Sequence, residues 1–552
     1  MRKILIWCLF FNFAFSTTYY LDATNGNDFN SGTSPEKAWK NIKKLISFKF
    51  KPGDKIAFKR GEVFRGYFIV SSSGEKNKPI IFTSYGEGKL PVITSMVELP
   101  GSKIEDNFKK EKQKNLWSFN LPFHPQRIML NNKEVLRAGY SEKEIDGEKI
   151  FWFWKDKKLY LYSRRNPASE YESIKVNLRY ETILLKDKHD IIFENIAIEG
   201  GNGYSIAIRG CYDIIVRNCE IGAYGRMGIQ IMDNNVDGRY ISSHDILVEK
   251  CLIDSKLRFH YPAPSTRGSI DGVYLNNGAY NCIIRDNHIK DWGHTGINIV
   301  ALHPLNPGVY NNKFYNNLIT GEDISYSRGI GVDGIEGKAH HNEFFYNIIK
   351  NTTVRSQLNG DHNYFHHNII DTVKNSPVKP YGTAQGIEIQ GYGTTYVSHD
   401  NKIDNNIIIN CEEAGIRIRA GDSDKYNNSV RNNILYNCGI NSKDKLPYVA
   451  LIIDDHKTVK NNNYLNNCIY NSKNITKTVY YRGKKLTVKE FNKQNGYDKI
   501  LHNFQKDPKF VNVKKRDFHL LPSSPCIDAG VSTEKTRFFK GKAPDVGLYE
   551  ER

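Results

Sequence analysis

Short apolar segments, each built around one polar residue, recur between Asp190 and Asn474, as in IIFENIAI, IIVRNCEI and IDNNIII. The smallest spacings between these polar residues are 21 and 23 residues. We therefore take about 22 residues as the repeating unit and treat the excess elsewhere as loops. The ten polar positions, called anchors below, are Asn195, Asn218, Lys250, Asn287, Asn317, Asn347, Asn368, Asn406, Asn433 and Asn467.

A second short segment precedes most anchors and alternates apolar with polar residues. Examples are GINIV from Gly296, GIGVD from Gly329, GIEIQ from Gly386 and GIRIR from Gly415. A period of two predicts a β-strand with one face on a core and the other towards solvent. Two or three such strands in each of about ten units predict an all-β fold, a right-handed parallel β-helix.

Asparagine supports this prediction, because 39 of the 56 asparagines lie between Asp187 and Asn474. Equivalent residues of neighbouring coils stack about 4.8 Å apart, so their amides can form a hydrogen-bonded ladder. Asparagine also tolerates the positive φ of a sharp bend. Cys219 and Cys251 each follow an anchor, which favours stacked, unbridged core thiols for the cysteines of the repeat.

The ends of the chain differ from the repeat. Residues 1–16 carry two basic residues and then an apolar run, which predicts a secretory signal peptide and a secreted, extracellular protein. A helix from Ser34 to Leu45 is expected to cap the solenoid. We divide the rest into an N-terminal cap and first coils (17–97), a β-rich insertion (98–185), the main β-helix (186–475) and a C-terminal coil and cap (476–552).

The net charge is +18, from 78 Lys and Arg against 60 Asp and Glu. The basic residues are scattered and no nucleic-acid-binding motif accompanies them, so we expect no nucleic-acid partner. No later segment is apolar enough to span a membrane, so we expect no membrane partner. We also expect a monomer. The charge is explained by a solvated surface or by an anionic polymer as substrate.

Three segments carry a family resemblance: YYLDATNGNDFNSGTSPEKAWKNI from Tyr19, DFHLLPSSPCIDAG from Asp517 and DVGLYE from Asp545. They resemble the ends of secreted bacterial β-helix polysaccharide lyases and glycoside hydrolases, the pectate-lyase-like superfamily. The segments from Arg127 and Phe151 are similar to an insertion in β-helix glycoside hydrolases of family 141. The resemblance implies an enzyme acting on a polysaccharide, such as a fucosylated or xylose-containing plant polymer.

Catalytic groups are expected on the outward face of the glycine-initiated strands. Asp333 and Glu388 lie two coils apart, which places their backbones about 10 Å from each other. Side chains that lean together could then reach the carboxylate separation of an inverting acid–base pair. Asp361 and Asp271 are alternative catalytic carboxylates. We therefore predict hydrolysis of glycosidic bonds without a metal or other cofactor.

Further polar side chains at or near this face are candidate substrate-binding residues. His294 stands directly before its strand, where we expect Asp291 or Trp292 as its partner. His340-His341 and His366-His367 are interpreted as turn or ladder residues. Aromatic residues on the long loops, Phe259, Tyr261, Tyr310 and Tyr381, are candidates for stacking on sugars. The predicted substrate-binding residues are Arg355, Gln357, Gln390, Arg417, Arg419, Asn298, His294 and Tyr381.

Two alternatives to hydrolysis stay open. A polyuronate lyase would use Arg417 as its base, with Asp333 and Glu388 binding Ca²⁺. The sequence lacks the tight Asp-Asp-Gly cluster seen in family-9 pectate lyases, which places the lyase second. A non-catalytic carbohydrate-binding or adhesion protein is the third interpretation, because this fold also hosts such functions.

Overall fold

The computed structural model describes residues 16–550 apart from 126, 132–133, 137–142, 144–150, 178, 257–269, 322–326, 377–383, 392–395 and 444–445. Three long, mainly parallel sheets of 17, 12 and 13 strands run through the described residues. The predicted signal peptide lies almost wholly outside those residues, as do Phe259, Tyr261 and Tyr381.

The register between strands shows how the coils stack. Ile206 pairs with Ile229, and Ile229 pairs with Val273, each in a parallel ladder. Each coil thus repeats the same path one strand further along the axis. The predicted right-handed parallel β-helix is confirmed.

The strand bounds follow the three sides of the coil. The 13-stranded sheet contains Phe68–Ile69, Glu181–Lys186, Tyr204–Arg209, Met227–Met232, Asp271–Asn276, Thr295–Ala301, Arg328–Gly334, Ser356–Asn359, Ile387–Ile389, Ile416–Ile418, Leu451–Ile453, Val479–Tyr481 and the antiparallel Lys484–Leu486. The 12-stranded sheet contains Val63–Arg65, Val92–Thr94, Ala197–Glu199, Glu220–Gly222, Leu252–Asp254, His288–Lys290, Leu318–Thr320, Ile348–Thr352, Ile369–Val373, Ile407–Cys411, Ile434–Tyr436 and Cys468–Tyr470. The 17-stranded sheet contains Thr18–Leu21, Lys55–Lys59, Ile80–Tyr85, His189–Glu194, Tyr212–Arg217, Ser243–Glu249, Ala279–Tyr280, Ile283–Arg285, Val309–Tyr310, Lys313–Tyr315, Ala339–His340, Glu343–Phe345, Tyr364–His366, Lys402–Asp404, Ser429–Arg431, Asn463–Leu465 and Lys499–Leu501.

An antiparallel unit interrupts the solenoid after its first coils, with a small core of its own around Trp152 and Leu161. It consists of two four-stranded sheets. The first contains Met96–Glu98, Ile128–Leu130, Glu134–Leu136 and Ile174–Asn177, and the second contains Phe108–Lys110, Leu116–Asn120, Trp152–Lys155 and Lys158–Tyr162. Smaller two-stranded sheets pair Asn234–Val236 with Arg239–Ile241, Lys425–Tyr426 with Val459–Lys460, and Phe510–Asn512 with Asp517–Leu520.

Helices are few and short in the described residues. They are the α-helical turns Lys44–Ser47, Pro167–Glu170 and Val488–Phe491 and the 3₁₀ turns Pro35–Lys37, Glu105–Asn107 and Val513–Lys515. None of these helices is long or apolar enough to cross a membrane.

The capping helix expected from Ser34 to Leu45 is wrong as a single element. Its middle is extended, because Trp39 pairs with Leu21 in a parallel bridge and its indole is buried. The Trp39 backbone N–H donates to Tyr20 O at 2.9 Å. Burial of this large ring against the first strand therefore outweighs the helical signal of the flanking residues.

The predicted asparagine ladder is confirmed within the described coils. Asn317 Nδ2 donates to Asn347 Oδ1 at 2.9 Å, and Asn347 Nδ2 donates to Asn368 Oδ1 at 2.9 Å. A second ladder, which the sequence analysis missed, runs parallel to the first. The first contains Asn287, Asn317, Asn347, Asn368, Asn406, Asn433, Asn467 and Asn503, and the second contains Asn312, Asn342, Asn363, Asn401, Asn428 and Asn462.

The first three anchors were aligned one residue too early. Asn195, Asn218 and Lys250 have φ of 57°, 51° and 54° and form the bend before the ladder position. Cys251 occupies the ladder position itself, and its N–H donates to Asn287 Oδ1 at 2.9 Å. Asparagine suits both positions, which is why the sequence did not separate them. All eight cysteines among the described residues are buried and unbridged, as predicted.

Candidate active site

Two rows of outward side chains cross the 13-stranded sheet. Strand residues between them point inwards, as Ile330 and Val332 do, so Gly331 and Asp333 point outwards. The first row contains Ala207, Gln230, Tyr274, Asn298, Gly331, Gln357, Glu388 and Arg417. The second row contains Met232, Asn276, Val300, Asp333 and Asn359, with Gln390 and Arg419 following on the next two strands.

Gln357 and Asn359, rather than Arg355, take the outward positions of their strand in the two rows. Gln357 lies between Gly331 and Glu388, and Asn359 lies beside Asp333. The coil that carries Arg355 lacks the initiating glycine, so its strand starts two residues later than the repeat predicts. Asp333 and Glu388 lie in different rows, two strands and two residues apart, with backbones about 12 Å apart.

Asp333 is a partly exposed carboxylate held by three donors. Arg328 Nη1 lies 3.2 Å from Oδ2, and Asn359 Nδ2 donates to Oδ1 at 2.9 Å. Gln357 Nε2 also donates to Oδ1. The Asp333 side chain remains 20% exposed. These contacts hold the side chain in place and leave it accessible from the outward face.

Glu388 is in a different situation, because its side chain is fully buried. Arg355 Nε lies 3.0 Å and Arg419 Nη1 3.4 Å from Glu388 Oε1. Oε2 is buried without a hydrogen-bond partner among the described residues. Arg355 also donates to Gln390 Oε1 at 3.1 Å. Glu388 thus positions two guanidiniums, of which Arg419 has a side chain 42% exposed.

Arg417 is paired with a carboxylate that the sequence analysis overlooked. Its Nη2 lies 3.0 Å from Asp454 Oδ2, and the same oxygen accepts the N–H of Ala420 at 3.0 Å. An ion-paired guanidinium keeps its proton, so the role of base expected for Arg417 in a lyase does not fit. The adjacent acids in IIDDH, directly after the strand Leu451–Ile453, were the available signal.

His294 and Asp271 form a hydrogen-bonded pair at the start of the same face. His294 Nδ1 lies 2.8 Å from Asp271 Oδ1, a partner that the sequence analysis did not name for His294. Asp271 is fully buried and also accepts from Asn298 Nδ2 at 3.0 Å. The buried carboxylate fixes the ring, so Nε2 lies on the side away from Asp271. The His294 side chain is 27% exposed.

Gly331 lies between two groups of polar side chains, one around Asp271 and one around Asp333. A Cβ at this position would lie 3.0 Å from both Asn298 Oδ1 and Arg328 Nη1. Asn298 is bonded to Asp271 and Arg328 to Asp333, so both polar groups border the floor that Gly331 leaves open. A sugar over Gly331 would therefore lie between the His294–Asp271 pair and Asp333.

Aromatic side chains cover the N-terminal end of the face. Tyr180 is 46% exposed, and its ring lies edge-on to Tyr204 with centroids 5.2 Å apart. Tyr204 packs in an outward apolar cluster with Met227 and Tyr274, and burial raises the pKa of Tyr204 to about 12. These rings offer the apolar surface that sugars use for stacking. The sequence analysis missed them because it searched the loops.

The remaining candidates lie elsewhere or outside the described residues. Asp361 follows the turn and bridges to His340 in the 17-stranded sheet, where its Oδ1 accepts from Gly337 N at 3.1 Å. Tyr310 stacks between Tyr280 and His340 on that same sheet. The structure therefore does not bring Asp361 or Tyr310 to the face described above.

Asp233 is a buried carboxyl at the edge of the second row, directly after Met232. Burial raises the pKa of Asp233 to about 6, and its Oδ2 has no hydrogen-bond partner among the described residues. Its backbone N–H pairs with Asn277 O at 2.8 Å, on the adjacent strand. Asp233 is thus a buried titratable residue that the sequence analysis did not single out.

Residues 150–334 match the family model described as "Right handed beta helix region". A lacto-N-biosidase of Bifidobacterium longum subsp. longum is 35% identical over 100 residues, which are 17% of this chain and 6% of that protein. The chain thus spans only a small part of that curated relative.

Solved structures of similar shape are more distant in sequence. A lacto-N-biosidase from Eubacterium ramulus is 13% identical, with 89% of this chain and 68% of that chain covered at a TM-score of 0.45. The complex of XylC with xylose is 13% identical over 85% of this chain and 86% of that chain, at a TM-score of 0.44. Pectate lyase Pel9A is 14% identical over 98% of both chains, at a TM-score of 0.40.

Proposed function

We propose that this protein is a secreted enzyme that cleaves glycosidic bonds of a polysaccharide lying along the 13-stranded sheet. The observation that carries the proposal is Asp333, a partly exposed carboxylate held by three donors in the middle of an outward row. The stretch that resembles a lacto-N-biosidase supports a glycosidase among carbohydrate-active proteins. The aromatic end of the face supplies the stacking surface that a sugar chain requires.

The leading reaction is hydrolysis over Gly331. Asp333, held in place by three donors, acts there on the anomeric carbon or on the attacking water. His294, oriented by the buried Asp271, lies about 20 Å along the strands from Asp333 and is a sugar-binding residue rather than its catalytic partner. Glu388, which we predicted as the second catalytic carboxylate, instead positions Arg355 and Arg419 because it is fully buried.

A lyase reaction is the second candidate, favoured by the His294–Asp271 pair. An oriented imidazole can remove the proton beside a uronate carboxyl. The Ca²⁺ site expected from Asp333 and Glu388 does not fit. Both oxygens of Asp333 accept hydrogen bonds, and the buried Glu388 is paired with arginines. No step is assigned to a metal here.

The exposed guanidinium of Arg419 and the net charge of +18 together favour an anionic polymer as substrate. Export and a monomeric state are part of the proposal.

A panel of neutral and anionic polysaccharides tests it, with reducing ends and ultraviolet absorbance recorded together. New reducing ends without absorbance support hydrolysis, and an absorbing unsaturated product supports the lyase. Binding without either product favours the non-catalytic carbohydrate-binding interpretation.

A further inference from the structure

Three successive coils enter the 17-stranded sheet with an unusual pair of residues. In the coils on either side, the pair is a tyrosine followed by an asparagine at positive φ, as in Tyr310–Asn311 and Tyr426–Asn427. In the three coils between them, His or Asp occupies both positions. These pairs are His340–His341, Asp361–His362 and His399–Asp400.

The backbone is the same in all these coils, so the bend alone does not explain the change. His341, His362 and Asp400 have φ of 54°, 55° and 53°, as Asn311 does at 55°. Asparagine or aspartate satisfies this conformation elsewhere in the column, as Asn281 and Asp245 do. The substitution of both positions therefore places imidazoles and carboxylates together on an accessible surface of the sheet.

We propose that His362, His399 and Asp400 bind a first-row transition-metal ion such as Zn²⁺. One ligand atom from each of these side chains lies within 4.8 Å of the others. Two imidazoles and one carboxylate are ligands that Zn²⁺ accepts, and they leave one position for water. The site goes beyond the proposed function, because it lies on the 17-stranded sheet and includes no residue of the candidate active site.

The contacts already orient the ligands. Asp361 Oδ2 lies 3.2 Å from His362 Nδ1, which directs the opposite nitrogen, Nε2, towards Asp400. His362 Nε2 lies 3.9 Å from Asp400 Oδ2, close to the separation of about 3.3 Å that two ligands of a tetrahedral zinc ion require. A carboxylate behind a metal-binding histidine is the usual supporting contact, and Asp361 supplies it.

Metal binding by His362, His399 and Asp400 would link two successive coils. His362 belongs to one coil, and His399 and Asp400 belong to the following coil, where His362 N donates to His399 O at 3.1 Å. The chain between His362 and His399 carries Glu388 and its strand Ile387–Ile389. The metal would therefore stabilise the closure of this coil without contacting substrate.

His244 provides a matched control. Its Nδ1 lies 2.7 Å from Asp245 Oδ2, the same arrangement as His399 with Asp400 at 2.6 Å. Asp245 has φ of 53°, like Asp400. The ring neighbours of His244 are Tyr212 and Tyr280 rather than a second histidine. A His–Asp pair alone is thus compared with the proposed set of three ligands.

Titration of the full-length protein, without a polyhistidine tag and after treatment with a chelator, tests the site. Isothermal titration calorimetry with Zn²⁺ should show one equivalent of metal bound. The Co²⁺-loaded protein should show the visible absorption bands that are typical of a cobalt ion with a low coordination number. His362→Asn, which keeps a residue suited to positive φ, and His399→Ala should abolish this binding. Asp361→Asn should weaken it by about 10- to 100-fold, and His244→Asn should leave it unchanged.

Circular dichroism of each metal-free variant checks that it folds. The site is overturned by wild-type protein that binds less than one equivalent. It is equally overturned when folded His362→Asn and His399→Ala bind as wild type does, or when His244→Asn loses as much binding as they do.

Discussion

Arg328 reaches across Gly331 to Asp333, with its Nη1 3.2 Å from Asp333 Oδ2. The guanidinium holds the carboxylate at the edge of an open floor, and Asn298 borders the same floor from the neighbouring strand. This arrangement makes the absent side chain of Gly331 a requirement of the site.

Gly331→Ala should therefore reduce activity with little change in stability. The added Cβ would lie 3.0 Å from Arg328 Nη1 and Asn298 Oδ1, so at least one of them must move. We expect kcat/KM to fall by about tenfold or more, because small misplacements of substrate-positioning groups are costly. Gly496→Ala is the matched control, since its Cβ would lie 3.9 Å from Tyr481 Oη. Equal activity of the two variants would contradict this role.

Asp271→Asn tests whether the buried carboxylate positions His294. The amide cannot replace a charged acceptor of bonds from His294, Thr295 and Asn298, so the imidazole loses its orientation. In the lyase reaction, where His294 is the base, we expect kcat to fall at least about tenfold with KM little changed, and His294→Gln to lower kcat by about 10²- to 10⁴-fold. Steady-state kinetics on the folded variants tests this role. A rise in KM without a fall in kcat would argue against the positioning of His294 by Asp271.

Asp233 should make stability depend on pH. Because burial raises its pKa to about 6 from the usual 3.8, the folded protein holds a proton that the unfolded chain releases. The contribution of Asp233 to the free energy of unfolding should fall as pH rises from about 4 to about 6 and then stay level. Asp233→Asn should remove this slope and add about 1–2 kcal/mol at pH 7, allowing for solvent screening.

Denaturant unfolding at several pH values measures the effect. The exposed Asp237 lies in the same hairpin, so Asp237→Asn is the control and should keep the wild-type slope. A wild-type slope in Asp233→Asn would show that another group causes the dependence.

Asn347→Ala should destabilise the solenoid strongly. Asn347 is fully buried, donates to Asn368 Oδ1 and Phe314 O, and accepts from the backbone and side chain of Asn317. Loss of these bonds leaves buried partners unsatisfied, at about 2–4 kcal/mol of unfolding free energy. The exposed Asn316, at φ of 54°, tolerates Asn316→Gly, which should cost little. Similar melting of both variants would contradict the importance of the ladder.

The fold was predictable because its signals are local and repeat. Alternation in GIGVD gives the inward Val332 and the outward Asp333, and recurring asparagines give the ladder that contains Asn317 and Asn347. The alignment of Glu388 with Gln357 was not predictable, because it depends on where the strand starts after an irregular turn. Side-chain partners such as Asp271 for His294 require that alignment, so the site could be predicted only in part.

The central claim is that Asp333 cleaves a sugar chain lying over Gly331, and the product yield of Asp333→Asn tests it most directly. On the polysaccharide that the wild type degrades, the variant should keep its fold and lose at least about 100-fold in kcat. Asp237→Asn, which lies away from the face, should keep wild-type activity. A folded Asp333→Asn enzyme that releases product at the wild-type rate would contradict the account.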